Sequence, residues 1–246
     1  LDKPTKKQKK IKSDDFDEML KTTLRSSFAN QGQICLCGSR IFIEKPIYEK
    51  FKNAFVEKVS KMEVGDPSDP ETKMGAVVSK GHQEKVLSYI KLAKEEGGTI
   101  LVGGEAVTLE GRCKGGFFIQ PTVIEGLSPY CRTNTEEIFG PVVTLIPFET
   151  EEEVIEYANC TEYGLSATVW TQNLNCGHRV AAQLHSGIIW INCWLVRDLR
   201  TLGRRLGATL FMTVLAGWSA LLQRASGARE VLVGTPVAHR RRPELE

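Results

Sequence analysis

Cys35 is the side chain whose setting in the sequence most clearly suggests chemistry. It follows Asn30-Gln31-Gly32, residue types that favour turns, so its thiol and backbone N–H can both face a cleft. A thiolate is a strong nucleophile toward a carbonyl carbon, and a backbone N–H can stabilise the oxyanion that such an attack creates. The alternative is a buried, inert cysteine. The residue types alone leave both a reactive and an inert Cys35 open.

The remaining cysteines and the histidines do not complete a recognisable site around Cys35. Cys37 would share the face of Cys35 on an extended strand, where it could pack or take part in a redox interaction. The seven cysteines are odd in number and none is spaced as CxxC, which argues against a disulfide framework and a metal site. Reduced thiols favour a cytoplasmic location. No motif pairs Cys35 with a histidine, so surface roles are favoured for His82, His178, His185 and His239.

Three ordered motifs carry a resemblance to a known family. They are the segment from Ser26 to Arg40 around Cys35, Glu136-Glu137-Ile138-Phe139-Gly140-Pro141-Val142, and Gly187-Ile188-Ile189-Trp190-Ile191-Asn192. Together they resemble the aldehyde dehydrogenase family over about residues 16–199. Asn192-Cys193-Trp194-Leu195 favours the branch that acts on 2-aminomuconic or 2-hydroxymuconic semialdehyde.

The resemblance implies a reaction and a role for each motif. Cys35 would attack an aldehyde carbon, the thiohemiacetal would pass a hydride to NAD or NADP, and water would hydrolyse the thioester to a carboxylic acid. Glu137 would hydrogen-bond the nicotinamide ribose, and Phe139 would pack beside the nicotinamide. The alternatives are a solvated acid at Glu137 and a core aromatic at Phe139.

Three further residues are expected to shape the site rather than react. Asn30 and Gly32 belong to the turn before Cys35. Asn192 ends an apolar strand, where it either orders backbone near the cysteine loop or caps the strand. No metal ligand set is expected.

Parts of the family pattern are missing from the sequence. Only about 34 residues precede Cys35, and they contain no glycine-rich turn for a pyrophosphate. The family's general-base Glu, oxyanion Asn and cofactor-binding Lys belong to that missing part. The later Pro-Phe-Gly-Gly segment and the subunit-pairing strand are absent too. We therefore expect an incomplete cofactor site and an inactive isolated chain. The alternative to an aldehyde dehydrogenase function is a non-catalytic truncated fusion or interaction remnant.

Composition divides the chain into three predicted regions. Residues 1–15 form a lysine-rich, disordered leader, residues 16–199 the catalytic-domain fragment, and residues 200–246 a separate tail. Lysine is absent after residue 196, whereas nine arginines follow it. The tail resembles part of a nonribosomal peptide synthetase condensation domain. That family's His-His-x-x-x-Asp-Gly motif is absent, so a condensation module is the less favoured reading.

The hydrophobic pattern predicts an α/β fold with a largely parallel sheet flanked by helices. Expected helices cover 15–30, the stretch containing Phe51, Phe55 and Val59, 80–96, 150 onward and 174–185. Expected strands cover 40–43, 99–102, 117–124, 142–148, 167–171 and 187–192. The net charge of +2 and the lack of a long apolar run argue against nucleic-acid or membrane partners. The family resemblance implies a small aldehyde as the partner.

Overall fold

A computed structural model describes residues 13–194. The helices are α1 (Ser13–Phe28), α2 (Lys45–Ser60), α3 (Lys80–Glu95), α4 (Arg132–Thr135), α5 (Glu151–Asn159) and α6 (Leu174–Ala181). The strands are β1 (Arg40–Glu44), β2 (Thr99–Val102), β3 (Ala106–Val107), β4 (Phe118–Ile119), β5 (Thr122–Glu125), β6 (Val142–Phe148), β7 (Ser166–Val169) and β8 (Ile188–Ile191). The expected leader and tail lie largely or wholly outside these residues. No helix within them is long and apolar enough to cross a membrane.

A four-stranded sheet in the order β1-β6-β5-β2 lies at the centre. β6 runs parallel to both β1 and β5, whereas β2 is antiparallel to β5. The first five residues of β6 are buried, as expected for a central parallel strand covered on both faces. The prediction of a largely parallel sheet flanked by helices is confirmed.

Helices cover both faces of this sheet. Neighbouring strand residues point in opposite directions, so the apolar strands present buried side chains to a core on each face. Val123 and Val143 pack into a core with α1 and α2, in which the rings of Phe28, Phe51 and Phe55 stack. Ile124 and Val142 face the other way, into a second core with the buried side of α3, namely Val86, Ile90 and Ala93. The four-residue spacing of apolar residues in α2 and α3 therefore marks the core sides of both helices.

The predicted strand over 117–124 is divided in the structure. Pro121 has no N–H to give to a ladder, and it separates β4 from β5. β4 pairs with the unpredicted β3 in a small antiparallel sheet, whereas β5 joins the central sheet. A third sheet consists of the parallel pair β7 and β8.

The predicted helix over 174–185 ends earlier, at Ala181. The side chain of Asn159 explains the difference, because it donates to the Gln183 carbonyl at 2.9 Å and accepts from the His185 N–H at 2.8 Å. In a helix that reached residue 185 the His185 N–H would bond to the Ala181 carbonyl, and the Asn159 side chain takes the place of that acceptor. The predicted stop of α3 at Gly97-Gly98 is present, with Gly97 at φ +90° and the Gly98 N–H bonded to the Ala93 carbonyl at 2.8 Å.

Candidate active site

A tight left-handed turn joins α1 to the segment that carries Cys35. Asn30, Gln31 and Gly32 all have positive φ, at 49°, 58° and 70°. Asn tolerates this conformation better than most residues, and the Asn30 side-chain amide also donates to the Gln33 carbonyl at 3.2 Å. The predicted turn is therefore present, and it redirects the chain immediately before the cysteine.

Gly32 and Gly140 bring the two main motifs together. Gly32 packs against the Gly140 carbonyl with no room for a side chain. A Cβ atom at Gly140 would in turn lie 2.5 Å from Cγ2 of Val86 in α3. The cysteine turn, the segment before β6 and α3 are thus stacked at backbone distance, which requires glycine at both positions.

One pocket contains most of the residues that the sequence singles out. Its lining includes Gly32, Cys35, Glu137 and Phe139, together with Ser27, Ile34, Cys37, Gly38, Ser39, Ile138, Gly140 and Val142. Asn30 and Asn192 are not part of this lining. The geometry places the candidate nucleophile beside both candidate cofactor contacts, although the motifs lie about 100 residues apart in the chain.

Cys35 and Cys37 occupy different environments. Cys35 is exposed, whereas Cys37 is partly buried and its Sγ lies 3.6 Å from the Ala29 carbonyl oxygen. Burial raises the pKa of the Cys37 thiol above its ordinary value. The segment is a turn rather than a strand, because the Cys37 N–H bonds to the Ile34 carbonyl at 2.9 Å. These contacts suit Cys37 to a packing role.

Ser27, near the end of α1, is buried beside the turn that leads to Cys35. Its side chain is 2 % exposed and lines the same pocket as Cys35. No described residue offers its hydroxyl a hydrogen-bond partner. Its neighbour Ser26, by contrast, donates to the Thr23 carbonyl at 2.9 Å.

Helix α3 holds the Glu137–Phe139 segment by its backbone. Nε2 of His82 lies 2.7 Å from the Phe139 carbonyl oxygen, and the two rings meet edge to face at 6.3 Å. Nζ of Lys85 donates to the Glu137 carbonyl at 2.9 Å. His82 therefore contacts the candidate site, a role that the sequence analysis missed because nothing in the local pattern links α3 to this segment.

Glu96, the residue that follows α3, holds the start of α4 through three hydrogen bonds. The Glu96 carboxylate accepts from the Arg132 and Thr133 N–H groups and from the Thr133 hydroxyl, at 2.6–3.1 Å. Burial raises the pKa of Glu96, but these hydrogen bonds outweigh it and hold the pKa below its ordinary value. Deeper inside, Thr144 of β6 donates to the Asn134 side chain at 2.7 Å. Glu96 thus fixes the start of α4, which leads into Glu136 and Glu137.

Asn192, directly after β8, bonds to the backbone that follows β7. Its side chain accepts from the Thr171 N–H and donates to the Thr171 carbonyl, both at 2.8 Å. It therefore orders the end of β7, and no hydrogen bond in the described residues joins its side chain to the cysteine loop. Trp194 makes that contact instead, because its indole N–H donates to the Leu36 carbonyl at 3.1 Å.

The residues present match only part of a nicotinamide dinucleotide site. Glu137 is exposed, and within residues 13–194 no hydrogen bond or ion pair engages its carboxylate, which could therefore bind ribose hydroxyls. Phe139 is 36 % exposed, and its ring offers a flat apolar surface. Its backbone has φ +59°. Over the same residues there is no cluster of three or more His, Cys, Asp or Glu side chains that could hold a metal ion.

Comparisons with known proteins agree on one family. Residues 11–205 match the model of the aldehyde dehydrogenase family. The chain is 52 % identical over 186 residues to 2-aminomuconic semialdehyde dehydrogenase of Homo sapiens, a match covering 75 % of this chain and 38 % of that protein. It is 43 % identical over 187 residues to 2-hydroxymuconic semialdehyde dehydrogenase of Pseudomonas sp. (strain CF600), again covering 38 % of the relative. The chain therefore spans about two fifths of these relatives.

Solved structures give the same result for the fold. The NAD⁺ complex of aldehyde dehydrogenase from Bacillus cereus matches with a TM-score of 0.70 and 42 % identity, over 74 % of this chain and 36 % of that one. The predicted tail, residues 200–246, lies outside the described residues and almost wholly outside the family match.

Proposed function

The chain belongs to the aldehyde dehydrogenase family, and from that relationship we propose that Cys35 is the nucleophile for NAD(P)-dependent oxidation of an aldehyde to a carboxylic acid. The observation that carries the proposal is the shared pocket of Cys35, Glu137 and Phe139. An exposed thiol in a pocket can meet a small substrate, whereas a buried thiol cannot. The chemistry of these three side chains then assigns each a separate task.

Cys35 carries the covalent part of the reaction. Its thiolate attacks the aldehyde carbon, a C–S bond forms, and the carbonyl π electrons move to the oxygen. The Cys35 backbone N–H can donate to that oxyanion. NAD(P), when bound, would supply the hydride acceptor that converts the adduct into a thioester held by Cys35. Attack by water then breaks the C–S bond and releases the acid.

Glu137 and Phe139 are proposed to hold the nicotinamide half of the cofactor. A carboxylate accepts hydrogen bonds from ribose hydroxyls, and an exposed aromatic ring packs against a flat heterocycle. Lys85 and His82 bind the backbone of this segment and so fix both side chains. We propose that these two residues supply the nicotinamide part of a larger cofactor site.

A semialdehyde is the proposed substrate class. Identity to the 2-aminomuconic semialdehyde dehydrogenase of Homo sapiens is 52 %, compared with 42 % to the betaine aldehyde dehydrogenase of Mesorhizobium japonicum. We further propose a cytoplasmic location, in keeping with seven cysteines that show no disulfide spacing.

Acylation by p-nitrophenyl acetate tests the nucleophile without a cofactor. The thiolate displaces p-nitrophenolate, so the purified full chain should give a burst of about one equivalent as the thioester accumulates. The Cys35→Ser variant should lose the burst, whereas the matched Cys37→Ser variant should keep it. A chain without a burst, or with one that survives Cys35→Ser, contradicts the proposed role and favours a non-catalytic remnant.

A further inference from the structure

We propose that Trp194 is a positioning residue that holds the Cys35 turn in its reactive geometry; the proposal rests on the nucleophilic role of Cys35. Trp194 follows β8 and lies 158 residues beyond Leu36 in the chain. Its side chain is 5 % exposed, and its Nε1–H donates to the Leu36 carbonyl at 3.1 Å. A buried indole N–H that lost this acceptor would carry a desolvation penalty. The buried ring therefore favours the turn conformation that keeps the Leu36 carbonyl within reach of the indole N–H.

The bonded carbonyl is that of Leu36, in the peptide unit that joins Leu36 to Cys37. Two local hydrogen bonds also tie the turn: the Cys37 N–H of that same unit donates to the Ile34 carbonyl at 2.9 Å, and the Gly38 N–H donates to the Ser26 carbonyl at 3.1 Å. Both ties lie within the local segment of residues 26–38. The Trp194 bond is different because it joins the tip of the turn to a distant part of the fold. It therefore restrains rotation of the turn as a whole, and with it the direction of the Cys35 N–H.

A second contact fixes the ring itself. The Arg25 guanidinium, in the last turn of α1, lies over the indole at 5.8 Å from the ring centroid. Such a cation–π contact favours one face and one orientation of the ring. α1 leads directly into the left-handed turn at Asn30, so Trp194 joins the start of the cysteine segment to its tip. The indole thus braces the two ends of the segment that presents the nucleophile.

A comparison of two thiol reactions separates positioning from general packing. Acylation by p-nitrophenyl acetate passes through an oxyanion and depends on the direction of the Cys35 N–H, whereas alkylation by iodoacetamide forms no oxyanion. Trp194→Phe keeps an aromatic ring and removes the N–H donor. We expect its acylation rate to fall about tenfold or more, with alkylation of Cys35 changed less than about threefold. Trp190→Phe, the same change within β8, is the matched control and should alter neither rate.

Hydrogen exchange of the peptide covering residues 33–38 gives a second readout that needs no reaction at Cys35. Trp194→Phe should speed exchange there and leave exchange in β6 unchanged. Unchanged acylation and unchanged exchange in a folded Trp194→Phe protein overturn the proposal, as does an equal fall in acylation and alkylation. If the parent chain shows no burst, the nucleophile proposal fails, and the exchange result alone then decides whether Trp194 braces the turn.

Discussion

Gly32 and Gly140 meet backbone to backbone: a Cβ atom at Gly32 would lie 2.1 Å from the Gly140 carbonyl oxygen. This contact joins the cysteine turn to the segment that carries Glu137 and Phe139. It also shows why both motifs contain glycine where they do. The pocket depends on close contact between two stretches of main chain, so its integrity can be tested without touching any reactive group.

Gly32→Ala should separate the two motifs. The new methyl group clashes with backbone, and alanine is also strained at φ +70°. We expect a loss of about 2–4 kcal/mol in unfolding free energy, measured by urea denaturation. Gly111→Ala is the control, because Gly111 has φ +66° and nothing within 4 Å of the added Cβ, so it reports the strain alone. Equal losses in the two variants would show that the Gly140 contact contributes nothing.

Cys35 should react well before Cys37. Cys37 is partly buried, and burial raises the pKa of its thiol, so its thiolate fraction at pH 8 is reduced. With limiting iodoacetamide, peptide mass spectrometry should show labelling of Cys35 about tenfold faster than Cys37. Cys176 serves as a comparison, since burial and the Glu151 carboxylate raise the pKa of its thiol as well. Faster labelling of Cys37 would contradict this order.

Ser27→Ala should cost little stability although the side chain is buried. The Ser27 hydroxyl has no partner among the described residues, so its removal also removes an unsatisfied polar group. We expect an unfolding free energy within about 0.5 kcal/mol of the parent, or slightly above it. Ser26→Ala is the matched change and loses the bond to the Thr23 carbonyl. A clear destabilisation by Ser27→Ala would reveal a partner for this hydroxyl.

His82→Ala should loosen the segment at Phe139. Phe139 has φ +59°, a strained value for a bulky side chain, and the His82 bond to its carbonyl helps to hold it there. Loss of this bond, worth about 1 kcal/mol, should speed hydrogen exchange in residues 136–140 several-fold. Lys85→Met, which removes the exposed contact to the Glu137 carbonyl, should have a smaller effect. If His82→Ala leaves hydrogen exchange unchanged, contacts other than His82 hold Phe139 at its positive φ.

Glu96 should contribute to stability at neutral pH and lose that contribution in acid. Its pKa is lowered in the folded protein, so its share of stability is present above the ordinary glutamate pKa and disappears as pH falls through the folded value. Glu96→Gln should therefore lower the melting temperature at pH 7, with a gap to the parent that narrows below about pH 4. Glu95→Gln carries the same charge change on the exposed side of α3 and is the control. A pH-independent gap would exclude ionisation of Glu96 as its source.

Local sequence patterns predicted the fold well where the residues of a helix or strand alone determine its type and its buried face. Four-residue apolar spacing identified the buried faces of α2 and α3, and the continuous apolar run of β6 identified a central strand. The predicted end of α6 was wrong because a side chain from elsewhere in the chain takes part there: Asn159 bonds to the backbone beyond Ala181.

The candidate site shows the same division between local and distant information. Cys35, Glu137 and Phe139 stood out because each lies in a recognisable motif, and their roles remain predictions. His82 and Trp194 did not stand out, because their contacts join segments that are far apart in sequence. The one available signal for Trp194 was general: a buried indole N–H needs an acceptor. That rule does not say which carbonyl will provide it.

The parallel pairing of β1 with β6 has a consequence for synthesis of the chain. Residues 40–44 find their partners at 144–148, so the pocket cannot close until roughly 100 further residues have left the ribosome. At about 5–20 residues per second, Cys35 spends on the order of 5–20 seconds on a nascent chain without Gly140, Glu137 or Phe139 beside it. During that interval the surroundings of the Cys35 thiol are set by the solution around the nascent chain rather than by the residues that line its pocket in the folded protein.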